Sequence, residues 1–264
     1  MEELIEGHDL VCHLAAVVGV RRVLANPLQS ILQNVGGTEL VLALAHKYDR
    51  RLLFASTSEV YGKNPKVPFS EDGDRTLGST RLSRWAYSTS KALDEHLCFA
   101  YCDQGLPVSI VRYFNSYGPR VDAEGYASVL ATFVGQALAD QPLTVHEDGR
   151  QTRCFTYVAD TVEGSLLAAT KVEALGQAFN IGNDAEITIL DLARLILRLT
   201  GAGSGIVFVP YEEAYGPGFE DTPRRAPEVS KAQRLLGFRA RVPLVEGLQK
   251  TIAWFQTRSL QCDL

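Results

Sequence analysis

No glycine-rich turn links a strand to a helix in these 264 residues, so no stretch presents the clustered backbone amides that cradle a phosphate. Gly36-Gly37 lies inside a helical pattern, and Gly201, Gly203 and Gly205 fall between a helix end and a strand late in the chain. No C-x-x-C pair exists among the five cysteines, Cys12, Cys98, Cys102, Cys154 and Cys262. Cys98 and Cys102 lie one helical turn apart without a histidine set to complete a metal site, so the reading is reduced thiols and no metal. Positive charge is not in excess. A net charge of −5 gives nucleic acid no electrostatic footprint. The apolar runs, such as 40–45, are far too short to span a bilayer, so no membrane partner is expected. Residues 1–8 hold three glutamates and no apolar run, so no signal peptide is visible. These absences point to the cytoplasm. The 46% hydrophobic and 22% charged composition is that of a globular chain, long enough for one large or two small domains.

Hydrophobic periodicity supplies the order of elements. A strand over 9–16 runs into small residues, and Pro27 opens a helix through about Tyr48. The apolar run Arg51–Ala55 reads as a buried strand delivering Ser56-Thr57-Ser58-Glu59 at its carboxyl end. A polar loop with Pro65, Pro68 and Gly73 follows, then a helix carrying Tyr87, then a strand over 106–113 ending near Asn115. Strand, helix, strand, helix, strand argues an α/β fold with a parallel sheet covered on both faces. Past Gly118-Pro119-Arg120 the pattern predicts a helix over 127–139, a strand over 143–146 and a segment 151–160 leading into another helix. A brief strand is expected over 179–182. Thr188 caps a helix to Thr200, with Asp191 at the capping-box position and Gly201 as its stop. Helices near 230–236 and 243–257 close the chain.

Arg84-Trp85-Ala86-Tyr87-Ser88-Thr89-Ser90-Lys91 is the stretch that carries chemistry. Tyr87 and Lys91, four residues apart, share one helix face. An ammonium beside a phenol favours the phenolate, which suits a tyrosine to acid–base work near neutral pH. The hydroxyls and carboxylate at 56–59 arrive where open α/β sheets place ligands.

Together these motifs resemble the extended short-chain dehydrogenase/reductase family, specifically its NAD-dependent nucleotide-sugar epimerases, dehydratases and decarboxylases. The resemblance runs from Asp9 to about Phe255. It implies a Rossmann-like doubly wound parallel sheet over 1–117 and about 155–182, with a smaller α/β substrate-binding part over 118–154 and 183–264. It also implies that the strand at 9–16 is the family's fourth. Roughly 60–75 residues of the first βαβαβ half would then be missing, leaving that strand as a bare edge.

By resemblance, Thr57, Tyr87 and Lys91 form the catalytic set. Tyr87 takes the proton of the sugar hydroxyl at carbon 4, Lys91 holds the nicotinamide ribose, and Thr57 orients the substrate. Ala15, Ala16, Asn34 and Ser56, with Tyr87 and Lys91, match positions lining the NAD. Ser58 and Glu59 select the branch. Ser58 stands where dehydratases carry an acid, and Thr57-Ser58-Glu59-Val60-Tyr61-Gly62 looks like UDP-glucuronate decarboxylases. Arg84-Trp85, Arg153-Cys154-Phe155-Thr156 and Tyr215-Gly216-x-Gly218 followed by Arg225-x-Pro227 point the same way. Arg225 then serves decarboxylation, with a diphosphate clamp the alternative; a guanidinium suits either anion. Asn115 and Arg153 match diphosphate and substrate-binding positions, and His146 stands where relatives stack an aromatic on uracil. Arg120 reads as one half of a structural salt bridge. The function implied is a UDP-sugar decarboxylase, with a 4-epimerase as the runner-up and a non-catalytic cofactor sensor or scaffold as the rival of another class. The resemblance implies a homodimer through the helices holding Asn34 and Tyr87.

Overall fold

The computed structural model describes residues 1–121 and 128–262. In chain order the elements are α1 (Glu2–Glu6), β1 (Leu10–His13), α2 (Val20–Ala25), α3 (Pro27–Lys47), β2 (Arg51–Thr57), α4 (Ala86–Asp103), β3 (Val108–Tyr113) and β4 (Ser116–Tyr117). They continue with α5 (Val129–Leu138), β5 (Leu143–His146), β6 (Thr152–Cys154), β7 (Thr156–Tyr157), α6 (Val158–Thr170) and β8 (Ala178–Ile181). The remainder are β9 (Glu186–Thr188), α7 (Ile189–Thr200), β10 (Ile206–Val209), α8 (Tyr211–Tyr215), β11 (Arg224–Arg225) and α9 (Leu244–Cys262).

The main sheet is parallel throughout, in the order β1-β2-β3-β8. Alternation along β2 decides which helix covers which face. Leu52 and Phe54 pack with Val41, Leu42 and Cys98 of α3 and α4, while Leu53 turns to Ala168 and Ala169 of α6. All three β2 side chains are essentially fully buried, each contributing about 1.5–3 kcal/mol of transfer free energy. A second core gathers Phe133, Leu143, Phe155, Leu192 and Leu248 from α5, β5, the β6–β7 link, α7 and α9.

Local signals explain most boundaries. Asn26 caps α3 by accepting from the Gln29 amide, and Pro27 takes the first turn, where no donor is needed. Thr188 and Asp191 cap α7 reciprocally, and Gly201 ends it in the left-handed region at φ 71°. Elsewhere the structure departs from the periodicity. β1 stops at His13, not Ala16, because the backbone beyond it is tied to Asn34. Ser58–Tyr61 is a 3-10 turn. The expected helix at 230–236 is a π-helix over Ala232–Leu236, and α9 runs past Thr257. Ala127, expected to begin α5, lies outside the described residues. No helix among the described residues is long and apolar enough to cross a membrane.

Candidate active site

β2 delivers its last residues to a cleft of about 450 Å³ at the carboxyl edge of the sheet. Thr57 is still extended, and its Oγ1 accepts the Glu59 amide at 3.2 Å, which tightens the chain into the 3-10 turn. Ser56, Thr57, Ser58, Glu59, Tyr87 and Ala16 all line this cleft. A second cleft of about 170 Å³ is lined by His146, Arg153, Tyr211 and Asp221. Glu59, Arg84, Asn115 and Arg225 belong to both, so a charged seam separates the two.

Glu59 is the centre of that seam. Arg225 Nη1 lies 2.5 Å from its Oε1, and Arg84 Nη1 lies 2.7 Å from its Oε2. Burial alone would raise the Glu59 carboxyl, but the guanidiniums of Arg225 and Arg84 outweigh it and hold the pKa well below the carboxylate range. Glu59 is therefore a fixed anion at neutral pH, with no proton to donate. Asp221 is the second anion. It accepts from Arg153 and Tyr211 at 2.7 and 2.8 Å, with Arg84 and Arg225 at 3.8 and 4.0 Å. Burial opposes its ionisation too, and the three arginines prevail. Three guanidiniums thus face two carboxylates in a low-dielectric site, which leaves one positive charge for an anionic ligand.

Asn115 sits just past β3 at φ 38°, a left-handed conformation that asparagine tolerates, and donates to the Cys154 carbonyl at 2.9 Å. His146 packs against Tyr211 and Tyr215, with ring centroids 5.8 and 5.1 Å away, and burial lowers its pKa.

On the cofactor side the outcome is mixed. Ser56 lines the cleft and hydrogen-bonds Glu95. Ala15 is exposed and is not part of the lining; Ala16 is. Asn34 is buried with its amide engaged by the backbone of Val17, at 2.7 Å to N and 3.1 Å to O. It anchors the loop after β1 and does not face the cleft. Lys91 is buried behind the cleft wall, its Nζ 3.6 Å from Asp94 and 3.9 Å above the Phe54 ring. Arg120 makes no salt bridge among the described residues, and its backbone is left-handed at φ 68°. Asp221 and Tyr211 were not legible from spacing, since Asp221 meets Arg153 across 68 positions, whereas Asp94 stands at the i,i+3 position from Lys91 on α4. Only the two acids at 220–221 followed by two arginines at 224–225 carry a local signal of an ion-pair cluster.

The cleft suits the nicotinamide and ribose half of a dinucleotide. Ala16, Gly19, Ala55 and Ser56 leave room at the strand ends, Leu14, Val20 and Val23 give an apolar wall for an uncharged ring, and Tyr87 supplies a hydroxyl. Gly19 at φ 105° lets the backbone approach closely between β1 and α2. Among the described residues no His, Cys, Asp and Glu group could hold a metal ion.

A doubly wound parallel sheet with a Tyr-x-x-x-Lys helix beside its carboxyl edge defines a nucleotide-dependent short-chain oxidoreductase-type fold. The chain belongs to the NAD dependent epimerase/dehydratase family, whose profile matches residues 1–182. It is 46% identical to the UDP-N-acetyl-alpha-D-glucosaminuronate decarboxylase of Bacillus cytotoxicus, over 97% of this chain and 79% of that protein. It is 38% identical to UDP-glucuronic acid decarboxylase 1 of Xenopus tropicalis, over 94% of this chain but 57% of that protein. Among solved structures, it superposes on the UDP-glucuronic acid 4-epimerase of Bacillus cereus, in complex with UDP-glucuronic acid and NAD. There the TM-score is 0.84 at 30% identity, covering 97% of this chain and 78% of that one.

Proposed function

We propose that this chain is the catalytic body of an NAD-dependent decarboxylase acting on a UDP-linked sugar uronate. The higher identity to the Bacillus cytotoxicus enzyme favours UDP-N-acetylglucosaminuronate over UDP-glucuronate as the substrate. The observation that carries the reading is Glu59 held by Arg84 and Arg225 at the seam, with Tyr87 on one side and Arg153 on the other.

Bound NAD would supply hydride uptake and return at carbon 4, held by Tyr87 and Ser56 on the cleft wall with Lys91 behind it. Thr57 orients the carbon-4 hydroxyl and Tyr87 accepts its proton. The resulting 4-keto uronate is a β-keto acid. Its bond between carbons 5 and 6 breaks, the electron pair moves into the carbon-4 carbonyl, and carbon dioxide leaves. Tyr87, hydrogen-bonded to that oxygen, stabilises the charge formed there. A proton from water then reaches carbon 5 and restores the ketone, and Tyr87 returns its own proton to the oxygen when carbon 4 is reduced. Arg225, aimed by Glu59, pairs with the sugar carboxylate, while Arg153 and Asn115 serve the diphosphate and His146 lies against the base. Ser58 lacks the acidity to protonate a leaving hydroxyl, which disfavours dehydration. The solved relative with UDP-glucuronic acid supports the second reading, a 4-epimerase using the same Tyr87 and Thr57.

Residues 1–117 and 155–182 form the cofactor part, and 118–154 with 183–264 the sugar part. The main sheet β1-β2-β3-β8, which lies within the first part, supports this division, although the second core also draws Tyr117, Phe155 and Tyr157 from it. Exposed Leu28, Leu32 and Leu40 on α3 and Leu93 on α4 support a homodimer through these helices. Free thiols at Cys12, Cys98, Cys102 and Cys154 suit a reducing cytoplasm.

Incubation with NAD and each UDP-uronate, with gas release and product analysis, decides the matter. Carbon dioxide from UDP-N-acetylglucosaminuronate is expected. A 4-epimer formed without gas would move the assignment to the epimerase.

A further inference from the structure

Lys91 is a buried cation and needs a counter-ion. Its side chain is 3% exposed, and burial pushes the ammonium pKa down. The Phe54 ring supports the charge from the sheet side. Asp94, one turn along α4, lies 3.6 Å away with its side chain wholly buried, and neither carboxylate oxygen has a hydrogen-bond partner among the described residues.

Every other group facing this carboxylate is committed or neutral. On α4, Glu95 is held by Arg112 through two hydrogen bonds, and Cys98 is a fully buried thiol whose pKa burial raises. On α3, the neutral Thr38 hydroxyl donates to the Asn34 carbonyl at 2.9 Å, and its nearness to Asp94 works against the rise that burial imposes on that carboxyl. On β1, His13 contacts Thr38 at 3.2 Å; burial and the Lys91 charge push its pKa down to about 4, so it is neutral at working pH. Asp94 has no arginine, and Lys91 has no other carboxylate within ion-pair distance among the described residues.

We infer that Asp94 is a positioning residue for the proposed reaction, acting through Lys91 to keep its ammonium charged and aimed along the helix face it shares with Tyr87. This rests on the reading of Tyr87 and Lys91 as the catalytic pair. Asp94 never touches the substrate. It stabilises a cation that burial disfavours, and in the proposed reaction that cation favours the Tyr87 phenolate. Burial raises the Asp94 carboxyl to about 6, with Lys91 opposing. The pair therefore uncouples as the pH falls through that value.

The direct test follows the Lys91 side chain by carbon-13 NMR at Cε in the cofactor-free chain, with its signal assigned by Lys91→Arg. In Asp94→Asn the Lys91 titration midpoint should fall by about one to three pH units. Asp94→Glu should restore most of that shift. An unchanged midpoint in Asp94→Asn overturns the inference. Should Asp94→Asn not fold, the wild-type signal decides: a step between pH 5 and 7, reporting the carboxyl, is expected, and a flat trace overturns the inference. With substrate, the alkaline limb of kcat/KM should move down in Asp94→Asn by a similar interval while KM stays within about twofold. A wild-type pH profile in Asp94→Asn sinks the role of Asp94 alone. Retained turnover in Tyr87→Phe instead removes the catalytic pair on which it depends.

Discussion

Arg225 and Glu59 are 166 positions apart in the chain, and their side chains meet at 2.5 Å on the seam between two clefts. Arg84 grips the other Glu59 oxygen at 2.7 Å, so the carboxylate has a cation on each side. This arrangement makes the site depend on the packing of β11 near the turn that follows β2.

Glu59→Gln removes the anion and leaves three buried guanidiniums, those of Arg84, Arg153 and Arg225, facing one carboxylate, Asp221. The loss should be about 3–5 kcal/mol of folding free energy, read by urea unfolding at pH 7. The pH dependence has a defined sign. The folded-state pKa of Glu59 is depressed, so its contribution is complete above the ordinary value of 4.5 and fades as the pH falls below it. Unfolding free energy in the wild type should drop more steeply below pH 4.5 than in Glu59→Gln; parallel curves would count against the ion pair.

Tyr87→Phe keeps the ring and deletes the proton carrier. Turnover should fall by about 10²–10⁴-fold, while UDP affinity changes less than about twofold. Absorbance at 340 nm after substrate addition reports the oxidation step, and calorimetry with UDP reports binding.

Arg225→Lys retains the charge and loses the planar fork. Carbon dioxide release should fall by roughly 10- to 100-fold, and more than the oxidation step does, because only the uronate carboxylate needs the bidentate pairing. Equal losses in both steps would assign Arg225 to the diphosphate instead.

Arg112→Met tests the polar core beneath the site. Arg112 donates to Glu95 at 2.9 and 2.6 Å and to the Tyr61 hydroxyl and the Glu71 carbonyl at 2.8 Å each. Its removal leaves Glu95 buried without a cation, and thermal or urea unfolding should show about 3–5 kcal/mol lost. Arg112→Met paired with Glu95→Leu should recover part of that loss.

Much of this molecule was legible in local pattern. The apolar run at 51–55, the Pro27 start, the Thr188 cap and the four-residue spacing of Tyr87 and Lys91 are short-range instructions. Backbone hydrogen bonding and side-chain periodicity impose them within a few residues, and the observed elements follow. Family resemblance extended that reading to the residues around the cleft. Tertiary packing alone decided who touches whom. Asn34 turned from the cleft to clamp Val17 because folding placed the loop after β1 against α3. Lys91 met the Phe54 ring of β2 behind the wall, and Glu59 became a fixed anion once Arg84 and Arg225 converged on it. Charge pairing in a low-dielectric interior depends on distances of a few ångströms between segments far apart in the chain, and no spacing along the sequence encodes those distances.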